Sequence, residues 1–247
     1  MKNVHFVGLK NYVSIFTSGA FWEYFTNTLV FTFTSVSFQM IIGMLGALLM
    51  QNAIRGVGII RTTILIPWAI PGIIVAQMFK FFLDDQYGMV NEVLRRIGML
   101  SGQWAWLSKP GYAMGAIVLA DSWKQFPFVA IMLLAALQTV PKELYEAAEV
   151  DGANAIKRFT RITLPNIKPV LRVVLLFRTM NALRIFDIIY AMTGGGPANS
   201  TMTLLFSSYR RLFGDMNIGI GSAMATIVLL ITLIFSAIYI YTLKDED

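Results

Sequence analysis

The chain has 247 residues, 56% of them hydrophobic and 14% charged, with a net charge of +6 and no cysteine. Its mean hydropathy is +0.64. A soluble domain has about 25% charged and about 45–50% apolar residues, so this balance excludes an ordinary soluble enzyme, a disordered tail and a disulfide-stapled secreted module. The basic residues are scattered and form no patch suited to nucleic acid, and one histidine, His5, leaves no imidazole cluster for catalysis or metal. What remains is an all-α integral membrane protein, read as a single transmembrane domain over 1–247.

Residues 1–16 are amphipathic and lack the apolar centre and small-residue cleavage site of a signal peptide. Residues 11–25 hold Tyr12, Phe16, Phe21, Trp22, Tyr24 and Phe25 and read as an interfacial aromatic belt. A spanning helix needs roughly 20 apolar residues to cross a hydrocarbon core of about 30 Å. Five runs meet that length, at about 28–49, 62–83, 112–137, 170–192 and 222–242. Pro67, Pro71 and Pro127 predict kinks. Asp121 and Lys124 lie one turn apart in the third run and predict an intrahelical pair near its outer mouth. The GYAMG segment at 111–115 has the small-xxx-small spacing of close helix packing.

The connections differ in charge. A short link holds Arg55 and Arg61, 84–110 is mixed and contains Trp104 and Trp106, and 193–221 opens on Gly-Gly-Gly-Pro. The positive-inside rule favours a cytoplasmic 139–168, with the N-terminus, 84–110 and 193–221 outside and 244–247 inside.

The loop at 139–169 reads TVPKELYEAAEVDGANAIKRFTRITLPNIKP. Pro141 suits the first turn of a helix, and Glu143 and Glu146 favour the positive end of its dipole. Gly152 predicts a left-handed C-terminal cap. A second short helix is expected over 153–161, ending before Leu164-Pro165. Leu144, Ala147 and Ala148 share a face whose small side chains permit close approach, beside a basic cluster of Lys142, Lys157, Arg158, Arg161 and Lys168. Physics alone allows this to be an interfacial amphipathic helix resting on anionic lipid.

The same loop resembles the EAA loop of permease subunits in bacterial ATP-binding-cassette importers, through Glu146-Ala147-Ala148, Asp151-Gly152-Ala153, Phe159, Ile162, Leu164-Pro165 and Pro169. PWAIP at 67–71, YGMVNEVL at 87–94 and SWKQFPF at 122–128 resemble the sugar-importer branch, and TGGGPANST at 193–201 resembles its MalF-like subunit. FVGLKNY at 6–12 resembles a segment that follows an initial membrane helix in the family. That helix has no counterpart here, which leaves five spans where the family core has six and implies a shortened or naturally reduced chain.

The resemblance implies a cytoplasmic coupling helix that docks on a separate ATPase subunit through Glu146, Ala147, Ala148, Asp151, Gly152 and Ala153. It also implies a second, MalG-like permease, a dimer of ATP-binding subunits and an extracytoplasmic solute-binding protein, all at the bacterial inner membrane. The chain has no G-x-x-x-x-G-K-[ST] loop, so ATP and magnesium are expected on the partner, with no cofactor on this chain and no catalytic or metal site.

In the fourth run Arg178, Asn181, Arg184 and Asp187 recur every third residue and drift around about half the helix at about 100° per residue. Ionisable groups in a bilayer face water or partners. The set is therefore either an aqueous path or a structural network, with Arg178 or Arg184 pairing Asp187 or another helix. As a path, Asn181 both donates and accepts as a sugar hydroxyl requires, Arg184 and Asp187 flank it, and Phe186 and Tyr190 offer apolar faces to a sugar ring. The leading expectation is the permease subunit of a sugar or oligosaccharide importer. The alternatives are a glycerol-phosphate or polyol importer of the same type and, in another class, an ion-coupled secondary transporter; the latter predicts internal inverted repeats, and no second copy of the loop or the stripe is present.

Overall fold

The computed structural model describes residues 5–52 and 57–244, and these form helices and turns with no strand among them. Arg55 and 245–247, invoked in the charge argument, lie outside the described residues.

The aromatic N-terminal segment is divided between α1 (Lys10–Phe16) and the start of α2 (Gly19–Asn52). Edge contacts of Phe21 with Phe16 at 5.0 Å and with Trp22 at 5.2 Å close the corner. α2 is longer than the expected 28–49 and has two opposed faces. Phe33, Ile41, Leu45 and Leu49 are exposed along one side, while Thr28, Thr32, Ser35 and Gln39 are buried on the other. Such an inside-out distribution suits lipid as the solvent, where an apolar outer face costs nothing.

The second run is a broken pair: α3 (Val57–Ala69) and α4 (Gly72–Phe82) meet at 92°. Proline disfavours the α conformation in the residue before it, here Ile70, and Pro71 itself is extended (ψ 139°), so a new helix starts at Gly72. The connection that follows contains α5 (Met89–Arg96). Buried Asn91 organises it, donating to the carbonyls of Asp85 (3.2 Å) and Trp104 (3.0 Å) and accepting from Trp106 Nε1 (2.8 Å). Asp84 accepts the N–H groups of Gln86 and Tyr87, which hold its carboxyl below the ordinary value of 3.8.

α6 (Tyr112–Gln138) runs unbroken through Pro127. It packs along α2, where a Cβ on Gly43 would stand 2.5 Å from Val129 Cγ1. The small residues that bring these helices together are therefore Gly43 and Gly46. The expected Gly111–Gly115 contact is absent: neither glycine has a neighbour within 4 Å of a built Cβ, and both border an apolar groove of about 310 Å³ with Phe79, Phe82 and Leu119.

After α7 (Lys142–Val150) and α8 (Ala155–Arg158), a π-turn at Phe159–Thr163 leads directly into α9 (Leu164–Ala182). The second loop helix thus starts later than 153 and does not stop before Pro165. The proline falls in the first turn of α9, and the widened turn before it, with Leu164 N–H reaching Phe159 O, adapts the ladder to a residue lacking an N–H. The expected fourth span is also divided: α9 ends at Ala182 and α10 (Asp187–Met192) begins after a break at 183–186. α11 (Leu204–Tyr209), a second π-turn (Arg210–Gly214) and α12 (Ile218–Lys244) complete the chain. Among the described residues, three helices are long and apolar enough to cross a membrane, or four with the bent α3–α4 pair.

Candidate functional site

The loop after α6 is built by local rules. Asp151 caps α7, and Gly152 follows at φ +71° with its N–H on Glu149 O (3.0 Å), while Ala153 N–H reaches Ala148 O (2.9 Å). That double closure is a Schellman motif, whose left-handed residue favours glycine. Pro141 stands one residue earlier than expected, at the N-cap. Asn154 caps α8, its Oδ1 accepting from Lys157 N–H at 2.8 Å.

α7 buries no residue in this chain: Glu146, Ala147, Asp151 and Gly152 are exposed, and Ala148 and Ala153 are half-buried. A nine-residue helix is too short to be stable in isolation. Here it is held by its cap, by Tyr145 Oη against Thr163 Oγ1 at 2.9 Å, and by Glu149 with Arg158 at 3.4 Å. Since α8, the π-turn and α9 are contiguous, this platform connects through one helical rod to the interior of the bundle.

That rod delivers Arg178 to a buried polar cluster. Arg178 Nε donates to Gln39 Oε1 at 2.7 Å, and Arg178 Nη2 lies 3.7 Å from Asp121 Oδ2. The same carboxylate oxygen accepts from Ser35 Oγ and Gln39 Nε2, both at 2.8 Å. Arg178 and Asp121 are 2% and 3% exposed, so both groups are shut off from solvent and face protein partners. The expected Asp121–Lys124 pair does not form; Lys124 Nζ donates to Trp68 O at 3.4 Å. Arg178 takes its partner from another helix, not from Asp187. Ser35 and Gln39 escaped the sequence reading, although polar residues at 28, 32, 35 and 39 mark one face of an otherwise apolar run.

The remaining stripe residues gather around the 183–186 break. Asn181 and Arg184 are exposed, and Arg184 Nε donates to Met180 O at 3.1 Å. Asn181 lies in the last turn of α9, not at the centre of a span. Phe186 and Tyr190 stack at 5.6 Å, and Tyr209 meets Phe186 edge-on at 4.9 Å. Tyr190 is 47% exposed, so this aromatic cluster presents a face. Asp187 is committed differently. Its Oδ1 accepts Ile188 N–H (3.0 Å), and its carboxylate occupies the space a Cβ on Gly72 would take, which locks the α9–α10 break onto the α3–α4 elbow.

The Gly-Gly-Gly-Pro turn closes one end of this region. Gly194 and Gly195 have positive φ, Thr201 Oγ1 donates to Gly196 O (2.7 Å), and Asn27 Nδ2 donates to Asn199 O (3.0 Å) and Met202 O (3.1 Å). Tyr209 and Phe206 were not anticipated; the aromatic spacing at 206, 209 and 213 was the available signal.

A bundle of apolar helices with a proline elbow, a polar interior and an exposed helix–turn–helix platform defines a multi-pass helical membrane protein. The chain belongs to the family of inner membrane components of binding-protein-dependent transport systems, whose model matches residues 39–245. It is 44% identical over 237 residues, 95% of this chain and 79% of the other, to the trehalose/maltose transport system permease protein MalF of Thermococcus litoralis. It is 40% identical over 242 residues, 98% of this chain and 78% of the other, to the sulfoquinovosyl glycerol transport system permease protein SmoG of Agrobacterium fabrum. Among solved structures, a chain of a bacterial ABC transporter that imports the acidic polysaccharide alginate superposes with a TM-score of 0.87 at 26% identity, covering 98% of this chain and 85% of that one. The protein is a permease subunit of the ABC-importer type.

Proposed function

We propose that this permease is one half of the translocation path of an ATP-driven importer of sugars or oligosaccharides, working with a MalG-like second permease, a dimer of ATP-binding subunits and an extracytoplasmic solute-binding protein. The observation that carries the coupling role is α7: a short helix, capped by Gly152, that buries nothing in its own chain and sits at the end of a continuous rod. Glu146, Ala147, Ala148, Asp151, Gly152 and Ala153 form its docking region. ATP and magnesium bind the partner, and this chain hydrolyses nothing and holds no cofactor. The loop at 139–168 lies on the cytoplasmic side of the bacterial inner membrane, as does the C-terminus.

The solute contacts the face around the 183–186 break. Asn181 offers both a donor and an acceptor to hydroxyls, and the stacked Phe186 and Tyr190 offer an apolar platform to a pyranose face. Arg184, exposed beside them, favours a second reading in which the solute has an acidic group, as in a glycerol-phosphate importer. Asp187 acts on this face indirectly, by fixing the break to Gly72. The trehalose, maltose and alginate specificities of the relatives support a carbohydrate substrate.

The test is uptake of labelled solute by proteoliposomes containing the assembled complex and its binding protein. Uptake driven by internal ATP and unaffected by collapsing the proton gradient is expected. Uptake that follows the gradient and ignores ATP contradicts the proposal.

A further inference from the structure

The basic cluster of the coupling loop has no role in docking as described, and it borders a groove. On the side of α7 away from Ala147 and Val150, a space of about 720 Å³ opens between the end of α2, α7 and the α8–π-turn segment. Its apolar lining includes Leu48, Ile156 and Phe159, with Tyr145 beside them, and its cations are Lys142 and Arg158. Lys142 and Tyr145, with Glu149 one turn further, share one face of α7 at i, i+3 and i+7 spacing. Ile156 is 75% exposed although it belongs to this lining. Lys142 makes no ion pair among the described residues, and Arg158 meets only the exposed Glu149 at 3.4 Å.

We infer that this groove is a binding site for one anionic phospholipid of the cytoplasmic leaflet, with the phosphate between Lys142 and Arg158 and an acyl chain along Leu48, Ile156 and Phe159. Two observations select lipid over a protein segment. Leu48 lies in the last turns of a helix long and apolar enough to span a membrane, and the apolar run of that helix ends at about residue 49, which puts the groove next to the end of an apolar span. The site also combines an apolar wall with two cations, the pairing that an amphiphilic anion satisfies and a sugar or a free phosphate does not. Glu149 competes with the headgroup for Arg158, so the bound lipid and the α7–α8 ion pair are alternatives. An anionic lipid thereby bears on the pose of α7 from a face that adjoins its docking region.

This inference rests on the reading of 139–168 as the cytoplasmic coupling loop, and it is tested without reference to sidedness. The delipidated complex with its partner subunits is titrated in detergent with phosphatidylglycerol or phosphatidylcholine, and retained lipid is counted by native mass spectrometry. Phosphatidylglycerol is expected to be retained in preference to phosphatidylcholine. Lys142→Gln and Arg158→Gln should each weaken retention by about fivefold, and together by about 25-fold. Glu149→Gln, which removes the competing carboxylate, should strengthen it, and weaker retention by this variant counts against the inference. Equal retention of the two lipids, or wild-type retention by the double variant, overturns the inference. So does retention that appears only when the ATP-binding subunits are stripped off, which would give the groove to that partner. Labelling of a cysteine at Asn154 from outside intact cells would instead overturn the topology while leaving the lipid titration standing.

Discussion

Replacing Arg178 by leucine tests the buried cluster that ties α9 to α2 and α6. In the folded protein Arg178 satisfies Gln39 Oε1 at 2.7 Å and faces Asp121 Oδ2 at 3.7 Å. Removing one partner of a buried ion pair costs about 3–5 kcal/mol, since the other charge stays buried and uncompensated. Asp121 keeps the two donors from Ser35 and Gln39, which pulls the loss toward the lower figure. Gln39 Oε1, however, loses its donor, and an orphaned buried acceptor costs a further ~1–3 kcal/mol. Taking the lower figure of each, about 3 and about 1, the loss is at least about 4 kcal/mol. At about 2–4 °C per kcal/mol for a chain of this size, the apparent Tm should fall by at least about 8 °C. The assay is retention of the monodisperse peak of the purified complex after heating, read by size-exclusion chromatography. The double variant Arg178→Leu with Asp121→Leu should lose less than Arg178→Leu alone, because no stranded charge remains. A single variant within about 2 °C of wild type, or a double variant whose loss equals the sum of the singles, would refute the reasoning.

Gly72→Ala places a Cβ on the Asp187 carboxylate, so it should separate the two broken helices and reduce transport; a wild-type uptake rate and Tm would show that the elbow is loose. Asn181→Leu leaves sugar hydroxyls unpaired at about 1–3 kcal/mol each, hence roughly tenfold to a hundredfold weaker apparent affinity at normal protein levels, checked by uptake against solute concentration. The carboxyl of Asp84 is held below its ordinary value of 3.8 by the N–H groups of Tyr87 and Gln86. Its contribution to the 84–110 connection is therefore complete above that value and is lost as pH falls through the lower folded one. Amide exchange at Gln86 and Tyr87, corrected for intrinsic rate, should rise on acidification below about pH 4, and Asp84→Asn should abolish that dependence.

What the sequence disclosed follows the range of the interactions involved. The Gly152 cap and the Pro71 elbow are local, set by one residue's backbone preference, and both stand where the residue types placed them. Four of the five apolar runs match helices long enough to span, one of them as the bent α3–α4 pair, and the fifth, 170–192, is divided. The partner of Asp121 was misread because Lys124 is near in sequence, whereas Ser35, Gln39 and Arg178 arrive from two other helices. The break at 183–186 contains no glycine or proline, and it is held by a tertiary fit between Asp187 and Gly72 that no local pattern encodes. The small-residue pairs posed the same problem: GYAMG had the spacing, but Gly43 and Gly46 had the neighbour. Of the face around Asn181, the residue types were legible, and the splitting of Arg178 from Asn181 and Arg184 was not.

If α7 transmits between an ATPase and the path, substrate-stimulated ATP hydrolysis by the assembled complex depends on the cap of this helix. Gly152 has φ +71° with open space around a built Cβ, so valine there strains the backbone while its Cβ meets no neighbour. Asparagine tolerates the left-handed conformation and serves as the control. Gly152→Val should assemble in the membrane, yet lose most of the stimulation of ATP hydrolysis by solute-loaded binding protein, while Gly152→Asn keeps most of it. Full stimulation in Gly152→Val would contradict the account.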